Sequence, residues 1–475
     1  MMKSLATLLA GLAAGLLSNP SIAQPAATGK LEAFGLQGKR VTALAVVYNT
    51  LPLPALLYAA TEKEGVYRRN LAAPDSGWVE LGLQGKKLTA LDIQIWGAGP
   101  ADFHAPVVGL LPNYEAGDST RLYRLEHGVW VPADSGLPQP DFYLVTALAS
   151  FRSTGHAPLG AAFAGGNGMI YRSQTFRRWW QPAFSIGIGT TNVLAVHQRD
   201  YFTSTIWAGG ETGIFAPWLA KSQDDGQTWE IFYPDLRGDN ACTAIAIHPL
   251  HPDTVYAGME GAVIKTVDGG KRWDYTGLRD TPVYFHGLAL DSANPGHIYA
   301  GGLIANPDSW ALWESFDGGE RWQEIPPPVL PTPVVIAGIT SIVADQRTPR
   351  LIYIATHGHG VWRYHSGPSA IVDHRAGMPV HGFWLAQNVP NPFHAETVLR
   401  YRLAAARHVK LEVFDVLGNH LATLIDQRQP AGEYQARWLG TTAAGKRVAA
   451  GVYFYRLSLD ARVVAMRKML RANIP

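Results

Sequence analysis

The 475-residue chain carries 40 Lys and Arg against 38 Asp and Glu, a formal net charge of +2, which gives no electrostatic ground for a nucleic-acid partner. Charged residues make up only 16% and hydrophobic ones 47%, while Gly (49), Pro (32) and aromatics (11%) are abundant, a composition suited to many short strands and turns. The single cysteine, Cys242, excludes an intramolecular disulfide, and its place in the apolar run 241–247 marks a buried, inert thiol.

The N-terminus reads as an export signal. Lys3 supplies the positive start, residues 5–17 form an uncharged apolar run, and Ser21, Ile22 and Ala23 offer a cleavage site. A signal peptide over 1–23 is predicted, with the mature chain starting near Gln24. The run is too short to span a bilayer, and no later stretch reaches about 18 apolar residues. The mature chain is therefore expected to have no integral membrane segment.

An apolar strand then recurs at 41–46, 88–93, 145–149, 192–196, 243–247, 286–290 and 340–344. The spacing of about 50 residues fits one four-stranded blade per repeat. A second strand rich in Ala and Gly follows in most copies, as at 57–61, 162–166, 206–210, 255–258, 298–302 and 352–356. Small residues suit sheets whose inner ends crowd around a common axis. Blade one is expected to turn near Trp78 and blade two near Trp130.

Three copies go on to a turn of one pattern, Ser/Thr-x-Asp-x-Gly-x-x-Trp. They are Ser222 with Asp224, Gly226 and Trp229; Thr266 with Asp268, Gly270 and Trp273; and Ser315 with Asp317, Gly319 and Trp322. The Asp can accept backbone N–H bonds within the turn, the Gly takes positive φ, and the Trp packs back on the sheet. These residues are read as structural. A decayed copy, lacking Asp and Gly, runs from Ser173 to Trp179. The pattern resembles the Asp-box of BNR-type β-propellers, the repeat of sialidases, sortilin-like domains and some xyloglucan hydrolases.

The seventh repeat stops after its third strand, at 360–364. The stretch 31–39 parallels 78–86 at the end of blade one, so the N-terminal strand is expected to complete the last blade and remove an exposed edge. A seven-bladed β-propeller over 30–366 follows, then a Gly/Pro/Ser/His-rich linker over 367–384.

The segment 385–475 alternates in short strands, with Val409, Leu411, Val413 and the later Val452 and Phe454 expected to face one way. Its length and strand count predict an immunoglobulin-like β-sandwich, making the chain all-β. The run Gln387 to Phe393, with Asn388, Pro390, Asn391 and Pro392, and the strand opening at Gly451, Val452 and Tyr453 resemble the type A C-terminal sorting domain of the type IX secretion system. Val389 stands where that family usually has an aromatic, and the tail 471–475 is an addition. The resemblance implies passage across the outer membrane, with the type IX machinery as partner and a secreted or cell-surface location reached through the periplasm.

Loops between second and third strands share one face of a propeller with the loops between blades, opposite the Asp-box turns. Glu62, Asn167, Glu211, Glu260 and His357 fall at equivalent places just after the small second strand, with Glu64 and His359 close by. Asp141, Arg237, Asp239, Arg279 and Asp280 lie in the interblade loops. Glu62, Asn167, Glu211, Glu260, His357 and His359 are thus expected to form a rim that binds a polar ligand such as a glycan, or another surface protein. The His357/His359 spacing suits a metal site, but no third ligand is identified, so neither metal nor cofactor is expected. His248 and His251 read as a plain turn.

A sialidase needs an arginine cluster and a Tyr/Glu nucleophile pair. Its Phe-Arg-Ile-Pro opening is absent, Phe151, Arg152, Ser153 and Thr154 being the nearest stretch. Xyloglucan hydrolases of this repeat type use two propellers, and here there is room for one. The reading is an exported binding or scaffold module rather than an enzyme. The alternative is a glycoside hydrolase that pairs Glu211 and Glu260 from adjacent blades as axial carboxylates. An assembly factor like the propellers that help build photosystem II ranks last, for want of a basic patch.

Overall fold

The computed structural model describes residues 29–48, 55–73, 75–96, 103–113, 118–138, 144–151, 161–174, 179–198, 204–214, 216–234, 241–304, 310–328, 338–367, 383–385, 388, 390–403, 405–415, 418–460 and 462–472. The expected signal peptide, most of the expected linker, residues 175–178 of the decayed box, and Asp141, Arg237 and Asp239 lie outside them. Among the described residues every named element is a strand, and no helix is long and apolar enough to cross a membrane.

Between Lys30 and His365 the strands form seven four-stranded sheets, six of them built from four consecutive strands. Their first strands are Val41–Val47, Lys87–Trp96, Ala147–Ser150, Gly189–Gln198, Cys242–Ile247, Val283–Leu290 and Ile339–Ala344. The seventh sheet takes its fourth strand from the other end of the chain, where Lys30–Gly35 pairs antiparallel with Val361–His365. The first strand of each sheet packs on the first strand of the next, and that of the seventh packs on that of the first. The sheets therefore close a ring.

Close packing at the inner ends explains the small residues of the second strands. A Cβ on Gly165 would stand 2.5 Å from Thr191, one on Gly209 2.5 Å from Cys242, and one on Gly301 2.8 Å from Ile339. In each case the obstacle is the first strand of the following sheet. Cys242 is fully buried in this contact, and burial pushes its thiol far above the ordinary value, which leaves it unreactive.

The stretches 31–39 and 78–86 share their backbone as well as their sequence. Leu36 and Leu83 take φ of 57° and 67°, an uncommon state for a branched side chain. The next sheet ties down each copy: Trp78 Nε1 donates to Phe34 O at 2.9 Å and Trp130 Nε1 to Leu81 O at 2.7 Å.

A second repeated device was not legible in the periodicity. Each of six first strands carries a bulge at the same place, at Thr42, Thr89, Asn192, Thr243, His286 and Thr340. A bulge re-aims one side chain, and several threonines use this to reach the next sheet. Thr243 Oγ1 donates to Phe285 O and Thr340 Oγ1 to Val41 O, both at 2.6 Å. Thr89 reaches Val145 O, and Thr146, just ahead of its strand, reaches Thr191 O.

Beyond the ring, Phe383–Leu385, Thr397–Leu403 and Gly432–Trp438 form a three-stranded sheet, and His420–Gln429, Arg407–Asp415, Gly451–Leu459 and Arg462–Arg471 a four-stranded one. They share one core that includes Leu385, Tyr401, Trp438, Val409, Leu411, Val413, Tyr455 and Met469. The expected facing is corrected in one strand. Val452 and Phe454 are only half-buried, while Tyr453, Tyr455 and Leu457 enter the core. Register decides this: Val413 stands opposite Tyr455 and Leu411 opposite Leu457, and directly paired residues share a face. The other face of the central strand carries Phe414, beneath the Arg456 guanidinium.

Candidate functional site

The three Ser/Thr-x-Asp-x-Gly-x-x-Trp turns are closed units. In the first, Gly226 N donates to Ser222 Oγ at 2.8 Å, the Ser222 hydroxyl donates to Asp224 Oδ1 at 2.9 Å, and Thr228 N donates to the same oxygen at 2.8 Å. The second repeats this through Gly270 N on Thr266 Oγ1 at 3.0 Å and Arg272 N on Asp268 Oδ1 at 3.0 Å, and the third through Gly319 N on Ser315 Oγ and Arg321 N on Asp317 Oδ1, both at 2.9 Å. The indoles of Trp229 and Trp322 return bonds to Gly226 O and Gly319 O, while Trp273 packs edge-on against Trp207. The Arg272 amide and the Thr266 hydroxyl hold the Asp268 carboxyl below its usual range. For Asp224, burial acts upward, but bonds from the Thr228 hydroxyl and amide outweigh it, and the carboxyl is lowered. Each carboxylate bonds the turn that carries it.

On the opposite face, the loops after the second strands are tied to the loops between sheets. Glu62 N donates to Arg40 O at 2.8 Å, Gly213 N to Ile188 O at 2.7 Å, Gly261 N to Val283 O at 2.8 Å and His357 N to Gly338 O at 2.9 Å. Two of these loops share a construction. Thr61 Oγ1 donates to Gly65 O, and Thr356 Oγ1 to Gly360 O, both at 2.7 Å. Glu62 and His357 thus hold equivalent positions, as do Glu64 and His359.

The structure brings Glu62 and His357 together where the first and seventh sheets meet. Arg40 bridges to His357 by backbone pairing and holds Glu62 Oε2 at 3.0 Å. The bond from Arg40 is the main cause that lowers the Glu62 carboxyl, and the charges of Lys87 and His357 add to it. Glu62, His357, Asn167 and Glu211 are all half-buried at the mouth. Asn167 occupies a tight turn with φ of 41°. Glu211 lies on the strand Ser204–Thr212, opposite Thr190 and Pro217. Arg279 and Asp280 are exposed.

Two rim residues sit differently. His359 is 4% exposed, and burial lowers its imidazole pKa. Its backbone is engaged, with N donating to Thr356 Oγ1 at 3.2 Å and O accepting from Trp362 Nε1 at 3.0 Å, which turns the ring inward. Glu260 is 5% exposed and has Arg467 Nη1 at 3.9 Å. Arg467 belongs to the C-terminal strand Arg462–Arg471 and is itself 6% exposed. Its Nε donates to Leu385 O at 2.8 Å and its Nη2 to Thr281 O in the ring at 3.1 Å. Burial, then the Glu260 carboxylate, push the neighbouring Tyr284 phenol well upward.

Sequence reasoning missed Arg467. Its signal was available in the alternation of Ala465, Arg467 and Met469, which share the buried face of their strand. An arginine in that phase marks a charge that must be paired where it is buried. Among the described residues no group of three or more His, Cys, Asp and Glu side chains could hold a metal. On the face of these turns, Arg172, Trp179, Gln181 and Gly226 line a groove of about 520 Å³, with the Trp179 indole largely exposed.

No protein-family profile matches the sequence, and no curated protein matches it either. Solved structures do match. The GH74 xyloglucanase from Xanthomonas campestris aligns at 16% identity over 93% of this chain and 68% of that one, with a TM-score of 0.50. The ring of sheets, matched in this way, settles the architecture. This chain is a β-propeller. Two further matches are PorZ of Porphyromonas gingivalis, described as an essential bacterial surface component of the type IX secretion system, and YCF48 from Cyanidioschyzon merolae. The first aligns at 14% identity with a TM-score of 0.42 over 88% of this chain, and spans only 58% of that protein. The second aligns at 10% identity with a TM-score of 0.46 over 70% of this chain and 98% of that one.

Proposed function

We propose that this is an exported seven-bladed propeller acting as a binding or scaffold module at or outside the cell surface, and that its mouth is the binding site. The observation that carries this reading is the seam cluster of Glu62, Arg40 and His357, polar groups from two sheets presented by one loop construction. With Glu211 and Asn167 it makes a polar, half-open rim of the kind that takes a glycan or a polar loop of another surface protein. The seven sheets are read as the seven blades, the N-terminal strand as the closure of the last, and the three boxes as BNR-type staples.

The same reading makes the C-terminal sheet pair an immunoglobulin-like sorting domain of the type IX pathway. Its support is the sequence resemblance, together with a core that the module supplies for itself. The glycoside hydrolase alternative is disfavoured in the form that pairs Glu211 with Glu260. Both carboxylates must reach one sugar, and Glu260 lies beneath Arg467.

The test is a glycan array probed with the purified chain, followed by a hydrolysis assay on every glycan retained. Retention without turnover, lost in Glu211→Gln, is the expected result. Turnover that Glu211→Gln abolishes would establish the hydrolase instead. For sorting, deletion of residues after 381 is expected to leave the propeller in the periplasm, and normal release of the truncated chain would refute that role.

A further inference from the structure

The Arg467 contact joins two parts of the molecule that otherwise have separate cores. The apolar cluster of the C-terminal sheets contains residues from 385 onward alone, and the clusters beneath the mouth, around Val283 and Phe285, contain ring residues alone. What crosses between them is polar: the Arg467 guanidinium, the Thr281 carbonyl, the Glu260 carboxylate and the facing phenols of Tyr284 and Tyr455. A cation 3.9 Å from the buried Glu260 carboxyl offsets part of the cost of burying it, and that cation, Arg467, comes from the far end of the sequence. Positions 368–382 join the two parts, a length that extends to about 50 Å at about 3.3 Å per residue.

We propose that the C-terminal sheet pair is a detachable cap on the propeller mouth, keyed by Arg467, and that Glu260 meets solvent and ligand only when the cap lifts. The propeller's partner at this surface is the chain's own C-terminal module, recognised by its buried guanidinium. The cap covers the mouth at the fifth and sixth sheets and leaves the Glu62 seam open. Its biological sense, a rim completed on release of the module, rests on the mouth reading given above.

Carboxyl labelling tests the cap without any ligand. The full chain is treated with a carbodiimide and glycine ethyl ester under native conditions, and labelling is followed at Glu260, Glu62 and Glu211. In the unaltered chain Glu260 is expected to react at least tenfold more slowly than Glu211. In Arg467→Ala its rate should rise at least tenfold, with the Glu62 and Glu211 rates unchanged and a larger radius of gyration in solution scattering. Arg467→Lys, which keeps a cation beside Glu260 and a donor toward Thr281 O, guards against misfolding of the alanine variant, and it should keep a more compact radius and slower Glu260 labelling than Arg467→Ala. Rapid labelling of Glu260 in the unaltered chain overturns the proposal. So does an unchanged radius and slow Glu260 labelling in folded Arg467→Ala. Failure of every variant to retain a glycan would sink the mouth reading and leave these results standing.

Discussion

The two faces of the propeller use polar groups in opposite ways. On the face of the Ser/Thr-x-Asp-x-Gly-x-x-Trp turns, the Ser or Thr and the Asp that define the motif bond within their own turn of about eight residues, as Ser222 and Asp224 do, with Asp225 beside them accepting from the remote Ser204 at 2.7 Å. At the mouth, local bonds such as Thr61 to Gly65 are joined by partners remote in sequence: Arg40 with Glu62, Thr340 with Val41, Arg467 with Thr281. A local turn repeats because its reasons are local. At the mouth the backbone-directed threonine bonds repeat, while the side chains just after the second strands vary from Glu62 to Asn167 to His357, and that variation is open to selection for a ligand.

The contrast can be broken most sharply at Gly226. This residue has φ of 80°, and a Cβ there would stand 2.5 Å from Phe163 of the preceding sheet. Gly226→Ala is expected to cost about 3 kcal/mol through backbone strain and overpacking together. Gly85, at the mouth, has φ of 77° with nothing within 4 Å, so Gly85→Ala should cost about 1 kcal/mol from φ alone. Chemical denaturation followed by tryptophan fluorescence compares the two, and equal losses would mean that the box turn is not wedged between sheets.

A smaller effect is expected at the seam. Thr340→Val keeps the shape but removes the donor to Val41 O, leaving a part-buried carbonyl unpaired, at about 1–2 kcal/mol. Thr42→Val removes a longer bond, 3.2 Å, to Ala60 O of its own sheet and should cost less. If thermal midpoints rank them the other way, the inter-sheet threonines do not hold the ring.

Smallest is the acid response of the boxes. The folded state lowers the carboxyls of Asp268 and Asp224. Their stabilisation is therefore complete above the ordinary carboxylate value of about 4 and is lost as pH falls through the lower folded-state values. Asp224→Asn with Asp268→Asn should flatten the fall of the thermal midpoint below about pH 4, measured against the unaltered chain. An identical pH profile would remove these residues from the acid response.

The same contrast explains what could be read from the chain alone. The box turns and the strands were legible because each follows from the chemistry of a few adjacent residues repeated at one spacing. The inward faces of Tyr453 and Tyr455 were misassigned, because that strand is apolar in both phases and only pairing with Val413 and Leu411 selects one. Glu62 and His357 could be placed on a common rim by equivalence, but that Arg40 ties them together depends on ring closure. Glu260 looked like its equivalents in sequence, and a residue more than two hundred positions away covers it. Equivalence in a repeat predicts where a side chain starts and is silent on what docks over it.

The central claim, that binding belongs to the mouth and the boxes only hold the fold, comes down to one paired measurement. Retention on the glycan array is compared for Glu62→Gln with Glu211→Gln, for Asp224→Asn with Asp268→Asn and Asp317→Asn, and for Trp179→Ala on the box face. The account predicts that the mouth variant loses retention at least tenfold while the other two keep it. Retention lost in the box or Trp179 variants and kept in the mouth variant would contradict it.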